Sequence, residues 1–84
     1  MTVCILKLVS GEEILAKSNM EDQSYSKVRV LHITEQGPAL VPYLISSPDA
    51  TLSINENLIV TKVDAPYEIE RVYREAVSGI KLVS

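Results

Sequence analysis

Short apolar runs broken by polar turns fill most of the chain, and the period changes only near residue 64. Val3 to Val9 predicts a strand with Cys4, Leu6 and Leu8 on one face and Val3, Ile5, Lys7 and Val9 on the other. Apolar side chains on both faces imply a strand covered on both sides. Ser10-Gly11 supplies a turn, because glycine accepts positive φ without a Cβ penalty, and Glu12 to Lys17 returns as the second strand of a hairpin. The polar stretch SNMEDQSYS, residues 18–26, predicts the longest loop. Lys27 to Thr34 predicts a third strand, Glu35-Gln36-Gly37-Pro38 a turn, and Ala39 to Ser46 a fourth strand. Pro42 interrupts that strand and has no N–H for a ladder, so it belongs at a sheet edge or a bulge. A short extended piece at Leu52-Ser53-Ile54 and a strand over Leu58 to Val63 follow, separated by Asn55-Glu56-Asn57.

Beyond Asp64 the spacing is helical. Ile69, Val72, Tyr73 and Ala76 recur at i, i+3, i+4 and i+7, while Glu68, Glu70, Arg71, Arg74 and Glu75 fall outside the stripe. Asp64 reads as the cap, Ala65 and Pro66 as the first turn, and Gly79 as the stop, giving a helix over residues 65–78. Ile80 to Val83 reads as a last extended segment. Five or six short antiparallel strands followed by one helix predict a mainly β, strongly bent sheet closed into a small barrel, with the C-terminal helix over one open end. The whole of residues 1–84 reads as a single domain, with strands over about 3–63.

Composition adds assembly to this picture. The 84 residues are 46% hydrophobic and 23% charged, too much apolar surface for so thin a core, and a homo-oligomer is expected. The single cysteine, Cys4, cannot close an internal disulfide and reads as a small buried hydrophobe in a reducing compartment. A net charge of −3 argues against a surface that grips duplex phosphates all over. The first residues lack a basic leader and no stretch reaches membrane-spanning length, so a cytoplasmic location without a membrane partner is expected.

Two stretches resemble a known family. The hairpin VCILKLVSGEEILAK resembles the opening of Sm and Sm-like proteins, where two strands meet at a glycine turn of the form apolar-Lys-Leu-x-x-Gly-x-x-Ile. INENLIVTKV resembles that family's second signature, apolar-Arg-Gly-x-x-Ile-Val, around the tight turn between its last two strands. The resemblance covers most of residues 3 to 63, and the chain also looks like small Sm-like proteins of marine phages, which would place it in a host cytoplasm. It implies a bent five-stranded barrel that closes a homo-oligomeric ring of about five to seven subunits. The ring would form by pairing the Pro42 strand of one subunit with Leu58–Val63 of the next. The resemblance also implies a non-enzymatic role with single-stranded RNA or DNA, in nucleic-acid processing or regulation. The chain departs from the family in several places. Its helix is C-terminal, Asn55 stands where a base-clamping arginine is usual, Glu56 replaces glycine, and the loop 18–26 lacks the Asp-x-x-aromatic/Met-Asn pattern.

The chemistry-bearing residues fit that expectation without an enzyme's constellation. Lys27 and Arg29 alternate onto one strand face with Tyr25 two residues before, a set that can hold phosphates while a base stacks; an ordinary solvated face is the simpler reading. Asn55 and Asn57 offer amide donors and acceptors to base edges in a ring pore, or else merely tolerate left-handed φ in a tight turn. His32 reads as a structural or surface histidine, Glu12-Glu13 as solvated turn charge, and Arg71 and Arg74 as solvent charges paired to helix glutamates. No acid–base or metal set is apparent, so neither enzyme activity nor a cofactor is expected. A ring that binds other proteins and no nucleic acid is the alternative.

Overall fold

A computed structural model describes residues 2–78 of the chain. Strands β1 (Thr2–Leu8) and β2 (Glu13–Asn19) form the expected hairpin, with Cys4 opposite Ala16 and Leu6 opposite Ile14. Gly11 at its tip has φ +98°, where a Cβ would be strained. The Gly11 N–H donates to the Leu8 carbonyl and the Leu8 N–H to the Glu12 carbonyl, both at 2.9 Å.

The polar stretch after β2 is not a long loop. β2 runs to Asn19 and β3 (Ser24–Thr34) already starts at Ser24, so the reversal takes only residues 20–23. Short polar side chains hold it: Asn19 Oδ1 accepts from the Glu21 N–H at 3.1 Å, and Asp22 Oδ1 accepts from the Ser24 N–H at 3.1 Å and hydroxyl at 2.7 Å. Those hydrogen bonds from Ser24, the side-chain one foremost, lower the pKa of Asp22.

β3 then carries two partners on one edge. β4 (Gly37–Pro42) pairs with its far half, Arg29 to Thr34, and β5 (Thr51–Ser53) pairs with its near half, Ser24 to Ser26. The predicted fourth strand therefore ends at Pro42, which lies opposite Arg29 at the sheet edge, as a residue without an N–H requires. After a 3-10 turn at Glu56–Leu58, β6 (Ile59–Asp64) pairs antiparallel with β1. The order is β4-β3-β2-β1-β6, six antiparallel strands with β5 beside β3, within the five or six that the pattern predicts and one more than the resemblance implies. Among the described residues no ladder joins β6 to β4 or β5, so the sheet curls without a hydrogen-bonded seam.

Both faces of the sheet are covered. Cys4, Leu6, Leu8, Ile14, Ala16, Tyr25 and Val28 are buried on the inner face, with Leu52, Ile54 and Ile59 packed against them from β5, its following turn and β6. Because β6 and β5 lie at opposite ends of the sheet, this cluster exists only if the sheet is strongly bent. The other face carries Val3, Ile5, Leu15, Leu31 and Leu40, and on it lies α1 (Tyr67–Ser78) through Ile69, Tyr73 and Val77. The helix thus covers a sheet face rather than an open end. Its buried stripe is i, i+4, i+8, and Ala76 is exposed. Asp64 does not cap it: Asp64 closes β6, and the first helical bond runs from the Glu70 N–H to the Pro66 carbonyl at 2.8 Å. The expected stop at Gly79 and the extended segment Ile80–Val83 lie outside the described residues.

Candidate nucleic-acid interface

A bulge in β3 decides where the candidate residues go. Lys17 pairs with Ser26 and Leu15 with Arg29, so Ala16 alone faces Lys27 and Val28, and Lys27 takes φ +51°. The extra residue reverses the alternation that placed Tyr25, Lys27 and Arg29 on one face. Tyr25 and Val28 both enter the inner cluster, while Arg29 turns the other way.

Arg29 is only 7% exposed and is committed internally. Its guanidinium pairs with Asp49 Oδ1 at 2.9 Å and donates to the Pro48 and Val28 carbonyls. It therefore pins residues 43–50, the connection that separates β4 from β5, and is not a solvated strand-face cation. Lys27 is half-buried, and its carbonyl accepts from the Tyr73 hydroxyl at 2.7 Å. The structure thus separates Lys27 and Arg29 from Tyr25.

Tyr25 stands in a different group. It pairs with Ser18 across β2 and β3. Lys62 of β6, opposite Leu6 and so on the same inner face, reaches over both. The Lys62 ammonium donates to Ser18 Oγ at 3.2 Å and to Tyr25 Oη at 3.4 Å, and lies 5.2 Å from the centre of the Tyr25 ring. These side chains line a cleft of about 350 Å³ together with Asn19, Gln23 and Glu56. The cleft lies where the 20–23 turn meets the turn before β6, and its volume is at the low end for small-molecule sites, about 300–1,000 Å³.

The asparagines stand on either side of Glu56 in sequence, and neither lines that cleft. Asn55 Oδ1 accepts from the Asn57 N–H at 2.9 Å and caps the 3-10 turn, with Asn55 at φ −61°. Neither asparagine has positive φ, so a left-handed backbone is not why they are there. Asn57 is exposed, and its side-chain amide makes no hydrogen bond among the described residues. Between them, Glu56 contributes to the cleft wall. Lys62 and Ser18 were missed in the sequence: a lysine within LIVTKV and a serine ending a strand carry no motif, and only register and curvature bring them together.

The remaining candidates occupy structural places. Cys4 is fully buried, its thiol donating to the Ala16 carbonyl at 3.6 Å, and burial pushes its pKa up. Glu12 accepts from the Ser10 hydroxyl at 3.0 Å and Glu13 lies 3.8 Å from Lys7. His32 is exposed on the part of β3 that outruns β2, beside a second cleft of about 540 Å³ shared with Glu12 and Glu13. Arg74 pairs with Glu70 at 2.7 Å along the helix. Among the described residues no group of three His, Cys, Asp or Glu is placed to hold a metal ion, and no helix is long and apolar enough to cross a membrane. No protein-family model matches the chain, and no curated protein does.

Proposed function

We propose that the chain is a Sm-like protein that assembles as a ring and binds single-stranded nucleic acid, RNA rather than DNA, without catalysing a reaction on it. The observation that carries this reading is the cleft between the 20–23 turn and the Asn55–Leu58 turn. It gathers a cation, two hydroxyls and the amides of Asn19 and Gln23 at the meeting of two loops, a mixture suited to a phosphate and to base edges. The strand order supports the ring, since among the described residues it leaves β4 and β6 as free edges with Val41, Val60 and Val63 exposed along them. Within this reading Tyr25, Lys62 and Asn57 contact the ligand, and Asn55 holds the turn that presents Asn57. Lys27 and Arg29 act on the backbone and the 43–50 connection.

Fluorescence anisotropy with labelled U-rich and A-rich oligonucleotides over a salt series tests this. A net charge of −3 leaves few phosphates neutralised per subunit, so binding is expected to be weak at physiological salt and to strengthen as salt falls. Asn57→Ala is expected to change the preference between the two sequences. Absence of binding at low salt overturns the reading and leaves a ring that binds another protein. The exposed run Tyr43-Leu44-Ile45, with Ile45 86% exposed, is the observation that favours that second reading.

A further inference from the structure

We propose that Lys62, Ser18 and Tyr25 form a phosphate subsite within the cleft, taking one phosphate group of the bound strand; this rests on the nucleic-acid reading above and names the chemistry its site selects. The argument is an inventory of protons. Lys62 uses two N–H groups on the oxygens of Ser18 and Tyr25, at 3.2 and 3.4 Å. Each hydroxyl therefore accepts from the ammonium and keeps its own proton to donate, and neither donates to another group among the described residues. The third ammonium N–H and the two O–H groups are left without an acceptor among the described residues, on the cleft wall that Ser18, Tyr25 and Lys62 share. Donors in excess of acceptors around a cation describe a site for an anion with several oxygens.

Charge supports the same conclusion. No carboxylate among the described residues lies within ion-pair distance of Lys62, as is also true of Lys17, Lys27 and Arg71, so no neighbour neutralises the cation in the cleft. Ser18 is 3% exposed and Tyr25 5%, so the two hydroxyls are held by packing and need little reordering to meet a ligand. An inward-pointing charge on an edge strand also deters unwanted strand pairing, but that role needs only the cation and not two hydroxyls turned toward it. The ammonium also lies against the Tyr25 ring, which makes that side of the ring unsuited to stacking a base. The phosphate goes to Lys62, and the base turns toward Asn57 and the 20–23 turn. Glu56, on the wall of the same cleft, opposes an anion and sets a limit on affinity.

Titration of the full chain with uridine, uridine monophosphate, the dinucleotide UpU and inorganic phosphate, followed by amide chemical shifts, tests the subsite. Uridine monophosphate is expected to bind about tenfold more tightly than uridine, with shifts at residues 18, 25 and 62. Lys62→Gln should remove that difference, and Glu56→Gln should tighten the monophosphate several-fold. Comparable binding of UpU assigns the site to an internal diester, whereas preference for the monophosphate assigns it to a strand end. Equal binding of uridine and its monophosphate, or a preference that survives Lys62→Gln, overturns the subsite even if oligonucleotides bind. If phosphate binds through Lys62 but no oligonucleotide does, the subsite stands and the strand-binding reading falls. Glu56 lies in an exposed turn, so its variant reports on the site without disturbing the fold.

Discussion

Lys27 shows how one residue's backbone redirects the side chains around it. At φ +51° it occupies a left-handed conformation that costs a residue bearing a Cβ on the order of 1 kcal/mol or more, whereas glycine enters it freely. The bulge it makes turns Tyr25 inward to Lys62 and Arg29 away to Asp49. Lys27→Gly should therefore raise stability by roughly 0.5–1 kcal/mol after the extra freedom of the unfolded glycine is subtracted, and Lys27→Ala should not. Urea unfolding midpoints measure this, and a midpoint lowered in the glycine variant would show that the lysine side chain, not the backbone, holds the bulge. Lysine carries no local preference for such a bulge, which is why simple alternation placed Tyr25, Lys27 and Arg29 together. Tyr25 was legible in the sequence as a candidate, but its partners were not, because Ser18 and Lys62 reach it from 7 and 37 residues away. The asparagine turn was legible as a turn, although its cap and its backbone angles were not.

The helix is fastened to that same bulge. The Tyr73 hydroxyl donates to the Lys27 carbonyl at 2.7 Å and lies 3.3 Å from that of Ser26, inside a fully buried contact. Burial pushes the Tyr73 pKa up to about 12, with Arg29 pulling the other way. A phenol whose folded value lies above its ordinary 10.0 contributes stability that is complete below pH 10 and is lost as pH rises toward 12. The parent should lose about 1.4 kcal/mol per pH unit across that window relative to Tyr73→Phe, which has no proton there to lose. At neutral pH the phenylalanine variant should itself be about 1–2 kcal/mol less stable, because the bulge carbonyls lose their donor. Chemical denaturation of both proteins at several pH values measures the difference, and parallel curves would refute the assignment. Elements of this kind were legible where their signals are local. The Gly11 hairpin and the helical spacing around Tyr73 depend on neighbours in sequence, and both are present. The interruption at Pro42 was legible from its missing N–H, but the loss of the strand over residues 43–46 was not, since that connection is held by Arg29 through Pro48 and Asp49. The short reversal at residues 20–23 was hidden because side-chain caps from Asn19 and Asp22 replace the loop length that polarity suggests.

At the scale of the molecule, the question is what covers the two free edges. β4 and β6 end the sheet order, and β6 is exposed along nearly its whole length, with Val60 63% accessible. Isolated sheets protect such edges with charge, proline or a bulge. β4 has Pro42, and β6 has the inward Lys62 and the register shift beside Val60, yet Val60 and Val63 stay exposed on it. In the ring proposed above, pairing β6 with the β4–β5 edge of a second copy would satisfy both edges at once, and because the two surfaces differ, the contact would repeat head to tail until it closed. Val60 is the place to test this. The β1 register steps from Leu8–Ile59 to Lys7–Thr61, so Val60 has no partner on β1 and can be changed without removing an internal pair. Val60→Pro blunts the edge by its missing N–H, and Val60→Lys does so by charge. Light scattering at protein concentrations on the order of tens of micromolar is expected to show a ring for the parent and the 9.3 kDa monomer for both variants, each retaining the parent's circular dichroism. A monomeric parent, or a ring indifferent to both substitutions, would remove β6 as the interface.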